Sequence, residues 1–306
     1  GQVVFNHPIG VRFPVGPPKF NMKLLRVGNP NSEKPAIKDK NGITRDLSSI
    51  ITDINPETVN FNTIQKINNV NLEKLPEISS NVRIGACVSN PQKFIGIGLN
   101  YSDHAEETGM KVPNEPIIFI KANSCINGPN DNVFIPKKSK KTDWEIELGI
   151  IIGKKTQYIT EDKSLDHIFG YCIVNDISER EFQIERSGQW DKGKGCDTFG
   201  PIGPYLVTKD EINNAQNLNL ELKVNGKIMQ RGNTNKMIFG VNYLVSYLSH
   251  FVTLKPGDII TTGTPPGVGM AKKPQIFLRE GDLITLSIDN LGTQKQKVIS
   301  FNNKKI

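Results

Sequence analysis

Short runs of Ile, Val and Leu, cut by Gly, Pro and Asn, set the pattern of this chain. FIGIGLN (94–100), PIIFIK (116–121), WEIELGIIIG (144–153), YCIVND (171–176), LNLELKVN (218–225), GDIITTG (257–263) and DLITLSI (282–288) read as strands, rich in β-branched residues and bounded by turn formers. Earlier, LLRV (24–27), PAIKDKNGITRDL (35–47) and SSIITDI (48–54) read the same way, with Lys40-Asn41-Gly42 as hairpin turn chemistry. Helical patterns are few: 102–108 before Gly109, 162–169 before Gly170, and 241–250, the first two stopped by a glycine in the manner of a left-handed cap. Strands outnumber helices and do not alternate with them, so a mainly β (α+β) architecture is expected rather than a Rossmann sheet. The expected division is a leader over 1–21, a small β-rich module over 22–80, and a core domain over 81–306.

Composition sharpens the class without choosing a function. At 306 residues with 37% hydrophobic and 23% charged, the chain can bury a sizeable core. No apolar run approaches the ~18 residues of a membrane span. The segment before Met22 lacks the uninterrupted apolar stretch of a signal peptide and reads as a vector-derived remnant or an upstream extension. Four scattered cysteines, Cys87, Cys125, Cys172 and Cys196, form neither a disulfide scaffold nor a zinc ribbon, and suit reduced thiols in a cytoplasmic protein. The net charge of +7 fits nucleic acid or small anions equally well.

The acidic residues are more specific. In Asp143-Trp144-Glu145-Ile146-Glu147-Leu148-Gly149, strand periodicity puts Glu145 and Glu147 on one face and Trp144, Ile146 and Leu148 on the other. Two carboxylates side by side in so apolar a strand repel each other and lose hydration unless a cation lies between them. Mg²⁺, Mn²⁺ or Ca²⁺ would suit such oxygen ligands; two solvent-facing glutamates on an edge strand are the alternative. Asp176, at the end of another apolar strand, makes a third acid. If Ser102 caps a helix, His104 and Glu107 fall at i and i+3 on one face, the arrangement that prepares a general base; a surface histidine is the plainer alternative.

Lys137-Lys138-Ser139-Lys140-Lys141 reads as a solvated loop, and Gly263-Thr264-Pro265-Pro266-Gly267-Val268-Gly269 lacks the Lys-Ser/Thr of a phosphate loop. Cys196 has no histidine near it in sequence and reads as packing rather than a catalytic thiol.

GLNYSDHAEE, PIIFIKANSCINGP, DWEIELGIIIGK, GYCIVNDISEREFQ, GKGCDTFGPIGP, VNGKIMQRGNTNKMIF and PGDIITTGTPPGVG follow one another as in the fumarylacetoacetate hydrolase family, which the chain resembles from about residue 94 to 292. The resemblance implies a mixed β-roll or sandwich core, a homodimer, and one Mg²⁺ or Mn²⁺ held by Glu145, Glu147 and Asp176. It implies His104 and Glu107 as the pair that activates water, on a helix that forms part of a lid. It places Lys194 near the metal and a developing oxyanion, Arg180 and Gln183 near the substrate, and Thr264 at a substrate carboxylate. For Arg180 a salt bridge to Glu181 or Glu185 is the structural alternative. Lys121 is a further candidate for the site, or a strand-end lysine in solvent.

The expected activity is hydrolysis of a carbon–carbon bond in a 2,4-dioxo acid, acylpyruvate-like or a diketo-deoxy sugar acid. The substrate is thus a small anionic 2-oxo acid, with neither nucleic acid nor membrane as a partner. Isomerisation or decarboxylation of an oxo-diacid, a ureidoglycolate lyase activity, and a catalytically silent binding protein are the alternatives.

Overall fold

The computed structural model describes residues 21–301; the expected leader, apart from Asn21, lies outside them. Three strands come first among the described residues, β1 (Lys23–Val27), β2 (Lys34–Lys38) and β3 (Thr44–Asp46), and form an antiparallel meander with Lys38 opposite Thr44 across the expected turn. Residues 48–54 are turns and bends instead of the expected strand. Asp46 accepts the Ser48 N–H, Asp53 accepts the Ile54 N–H, and the Leu47 carbonyl takes those of Ile50 and Ile51, so these amides are withdrawn from any ladder. Helix α1 (Phe61–Asn68), which the strand pattern did not reveal, is capped by Asn60 through the Thr63 N–H and buries Ile64 and Ile67.

The later strands are β4 (Phe94–Gly98), β5 (Ile117–Ile120), β6 (Ile126–Asn127), β7 (Val133–Ile135), β8 (Thr142–Asp143), β9 (Ile146–Ile152) and β10 (Ile168–Asn175). After these come β11 (Ser178–Glu179), β12 (Gly200–Thr208), β13 (Asn219–Val224), β14 (Lys227–Asn233), β15 (Ile259–Thr261), β16 (Leu283–Ile288) and β17 (Gly292–Ser300). Three helices accompany them: α2 (Ser102–Thr108), α3 (Asp191–Lys194) and α4 (Val241–Ser249). A ten-stranded sheet runs β3-β2-β1-β12-β10-β9-β15-β4-β5 with β6 beside β12, and a five-stranded sheet runs β14-β13-β16-β17-β7. The fold is the mainly β, α+β arrangement expected. Among the described residues no helix is long and apolar enough to cross a membrane.

β9 and β10 are buried throughout. Ile146, Leu148, Ile150 and Ile152 pack against Leu220, Leu222 and Leu286 of the second sheet and Leu244 and Leu248 of α4. On the other face, Ile151, Cys172 and Val174 meet Ile64 and Ile67 of α1 with Leu47, Ile51 and Ile54. Burial of each such side chain stabilises the fold by about 1.5–3 kcal/mol, which is why these strands read as unbroken apolar runs and why any carboxylate among them needs a partner.

The helix expected over 162–169 is a 3₁₀ stretch, Glu161–His167, followed directly by β10. Gly170 lies inside β10, where a Cβ would come within 2.1 Å of the Val207 carbonyl oxygen; its role is close approach to β12, not capping. Gly109 does end α2 in the left-handed conformation, at φ 66°.

Candidate active site and metal centre

β9 and β10 are antiparallel, with Asn175 opposite Ile146, so the start of one strand lies beside the end of the other. The Asp176 N–H donates to the Glu145 carbonyl at 2.9 Å, carrying the pairing one step further. Glu145, Glu147 and Asp176 therefore share the face of Ile151 and Val174, as the alternation predicts for the two glutamates. All three are buried, and one oxygen from each lies within 4.8 Å of the others.

Three cations surround this triad. The Lys194 Nζ bridges Glu145 Oε2 and Asp176 Oδ2, at 2.6 Å from each. Lys121, far from being a solvated strand end, is fully buried; it donates to Asp176 Oδ1 at 2.6 Å and to the Lys194 carbonyl. Arg180 binds neither Glu181 nor Glu185. Its Nη2 donates to Glu145 at 2.6 Å, its Nε to Asp143 at 2.9 Å and its Nη1 to the Gln183 Oε1 at 3.0 Å. Glu181 pairs with Arg186, and Glu185 with Lys141.

Four buried carboxylates (Asp143, Glu145, Glu147, Asp176) thus face three buried cations, leaving one negative charge in excess. Burial works to raise Glu145, yet Lys194 and Arg180 outweigh it and hold that carboxyl well below the usual range. Burial would lower Lys194, but Asp176 and Glu145 keep its ammonium above the ordinary value. Glu147 takes the strain: burial, then Asp176 and Glu145, push its carboxyl well above the usual range, although Thr261 Oγ1 and the Gly263 N–H donate to it at 2.5 and 2.8 Å. Beside it, burial and the Glu147 charge raise the phenol of Tyr101, whose buried hydroxyl has no hydrogen-bond partner among the described residues. An all-oxygen donor set with one surplus negative charge, already spanned by an ammonium, fits a hard divalent cation. Such an ion would convert the surplus into a single positive charge, suited to an anionic ligand.

α2 brings the second group of residues to the same cleft. Its N-cap is Tyr101, not Ser102, whose hydroxyl donates instead to the Lys236 carbonyl at 3.4 Å. His104, 8% exposed, has its Nδ1 3.2 Å from Glu107 Oε2. Glu107 also accepts the Gly267 N–H at 2.9 Å; burial works to raise its carboxyl, but these donors hold it below the usual range. Gly267 has φ +110°, and a Cβ there would lie 2.0 Å from the Met229 carbonyl oxygen, so only glycine presents its N–H this way.

His104, Glu145, Glu147, Arg180, Gln183, Lys194 and Thr264 line one cleft of about 540 Å³, open mouth included. The Thr264 hydroxyl donates to the Ile146 carbonyl and accepts from Gln230, both at 2.8 Å. A substrate carboxylate, which only accepts, would have to draw that proton from Ile146.

Three supporting residues escaped the sequence reading. Asp143 accepts from Arg180 and from the Gly269 and Met270 N–H groups, joining the 263–271 loop to the site. Asn100 ties the start of α2 to Thr262 and Phe239, and Gln230 links Ile146, Thr264 and Pro265. Adjacency to Trp144-Glu145 was the only hint for Asp143; nothing local marks the other two. Lys137, Lys138 and Lys140 lie exposed in a turn, as expected of a solvated run.

Comparison with known proteins agrees with this geometry. Residues 93–299 match the C-terminal region of fumarylacetoacetate (FAA) hydrolase. A candidate hydrolase of Burkholderia cenocepacia is 55% identical over 276 residues, 90% of this chain and 98% of its own length. The structure of maleylpyruvate hydrolase from Sphingobium sp. SYK-6, in complex with manganese(II) and pyruvate, superposes with a TM-score of 0.77 at 27% identity, over 91% of this chain and 99% of that one. A 5-carboxymethyl-2-hydroxymuconate delta-isomerase from Mycobacterium smegmatis does so with a TM-score of 0.74 at 29% identity, over 91% and 100%. Its structural neighbours thus include both hydrolases and isomerases of oxo acids, and the chain belongs to the fumarylacetoacetate hydrolase family.

Proposed function

We propose that this protein is a Mg²⁺- or Mn²⁺-dependent hydrolase that cleaves the bond between C3 and C4 of a 2,4-dioxo acid, releasing pyruvate and a carboxylic acid. The observation that carries the reading is that His104, held by Glu107, lines the same cleft as Glu145 and Glu147 of the acidic triad.

Glu145, Glu147 and Asp176 would hold the ion, which would supply Lewis-acid neutralisation of a 2-oxo carboxylate. Glu107 accepts from the His104 Nδ1–H, which fixes the tautomer and leaves Nε2 as the base for water. Water attacks the C4 carbonyl, its proton passes to His104, the C3–C4 electron pair stays with C3, and C3 is protonated to give pyruvate. Lys194 keeps a positive charge at the cleft floor where negative charge develops, and Arg180 fixes Glu145 and orients Gln183 toward substrate oxygens. Lys121 acts from behind, as a positioning residue for Asp176. Decarboxylation or isomerisation of an oxo-diacid would use the same triad without an attacking water, so an intact dyad favours hydrolysis.

The test is to incubate the Mg²⁺-loaded protein with acetylpyruvate and identify products. Equal amounts of pyruvate and acetate, lost on chelation, support the reading; unchanged acetylpyruvate contradicts it.

A further inference from the structure

The cleft has a direction. From Glu145 and Asp176 it is 2.6 Å to the Lys194 Nζ, then 5.0 Å from that nitrogen to the centre of the Phe119 ring, and 5.7 Å from Phe119 to the ring of Trp190. Trp190 in turn lies against Gly98, where a Cβ would meet its ring at 2.4 Å. Leu99, Met110 and Ile184 add apolar surface to the lining. The carboxylates and permanent cations of the lining, Glu145, Glu147, Arg180 and Lys194, are therefore gathered at the triad, while Phe119, Trp190, Met110 and Ile184 carry no charge.

The lining contains two permanent cations, Lys194 and Arg180, and both are committed. Each nitrogen of Arg180 donates once, to Asp143, Glu145 or Gln183, and Lys194 is shared by Glu145 and Asp176, so both charges are paired with carboxylates at the triad end. Close to Ile184, Arg186 is paired with Glu181, and neither it nor Lys192, which donates to the Arg186 carbonyl, lines the cleft. A second carboxylate on the substrate would lie against Phe119 and Trp190, where none of the residues lining the cleft supplies an unpaired cation, and would lose hydration with little compensation. An alkyl or aryl group would gain there instead.

We infer that the group beyond the second carbonyl of the substrate is uncharged and apolar, so that the enzyme acts on acylpyruvates with an alkyl or aryl tail rather than on oxo-diacids or hydroxylated sugar acids. The inference rests on the 2,4-dioxo acid reading above, and the experiment separates the two. Calorimetry on the Mg²⁺-loaded protein compares 2-oxo-4-phenylbutanoate with 2-oxoadipate, neither of which has a second carbonyl to hydrolyse. The phenyl compound should bind at least about tenfold more tightly, in line with the discrimination an apolar pocket achieves. Ile184→Lys, at the 45% exposed rim, should narrow or reverse that ratio by giving the acid a partner. Equal or tighter binding of 2-oxoadipate to the wild-type protein overturns the inference, as does an unchanged ratio in both Ile184→Lys and Met110→Lys. Failure to hydrolyse acetylpyruvate, by contrast, refutes the hydrolase reading and leaves the binding preference standing on its own measurement.

Discussion

Glu147→Gln separates the metal's demand from the fold's. In the metal-free protein, burial and the neighbouring Asp176 and Glu145 make Glu147 hold its proton to higher pH than a solvated carboxylate does. A glutamine is the neutral, isosteric stand-in for that protonated acid, and its carbonyl oxygen can still accept from Thr261 and Gly263. Metal-free stability should therefore change by less than about 1 kcal/mol, the worth of one hydrogen bond, or roughly 2 °C in Tm. Metal binding needs the charged form, and removing one of three ligand charges should weaken it by at least about 10²-fold, roughly 2.7 kcal/mol.

The same group predicts a pH dependence. A folded protein that retains a proton the unfolded chain has released loses stability as pH rises from the ordinary glutamate range toward the raised folded value. Wild-type Tm without metal should fall over that window, Mg²⁺ should remove the fall by replacing the proton, and Glu147→Gln should lack this component. Titration calorimetry for Mg²⁺ and Mn²⁺, with scanning calorimetry at stepped pH, reads all three. Unchanged metal affinity in Glu147→Gln would refute the ligand assignment, and an equal pH slope in both proteins would refute the electrostatic argument.

Lys121→Met strips a buried partner from Asp176 and should cost about 3–5 kcal/mol in metal-free protein, with Mg²⁺ restoring part of it; identical melting of variant and wild type would contradict the positioning role. Gly267→Ala must displace the Met229 carbonyl or its own N–H, and a shift of about 1 Å in the Glu107 support should lower hydrolysis by roughly 10²-fold with metal affinity nearly kept, measured by kcat beside calorimetry. The homodimer that the family resemblance implies should scatter light with twice the 34.0 kDa mass of one chain, and a monomer at micromolar concentration would count against it.

What could be read before folding was what local periodicity encodes. Glu145 and Glu147 are two apart on a strand and His104 and Glu107 three apart on a helix, so alternation and helical spacing alone put each pair on one face. Lys121 was opaque because PIIFIK gives no sign that its last residue is buried against Asp176 and the Lys194 carbonyl, 55 and 73 positions away. Asp143, Asn100 and Gln230 act on partners as far as 162 positions away, a distance no window covers. Residues 48–54 have the β-branched content of a strand, but Asp46 and Asp53 take two of the amides a strand would need. α1 hid because FNTIQKIN has no long apolar stripe, although its Asn60 cap was there to be read. Gly170 misled for a different reason: glycine marks close packing as readily as it marks a helix end.

The central claim is that His104, oriented by Glu107, activates water beside the metal. Acetylpyruvate hydrolysis and oxaloacetate decarboxylation measured together in His104→Ala test it most directly. Hydrolysis should fall by about 10² to 10⁴, the usual worth of a general base, with Mg²⁺ affinity nearly unchanged. Decarboxylation, which requires the ion but no attacking water, should survive far better. Hydrolysis at the wild-type rate in His104→Ala would contradict the mechanism, since water would then be activated elsewhere.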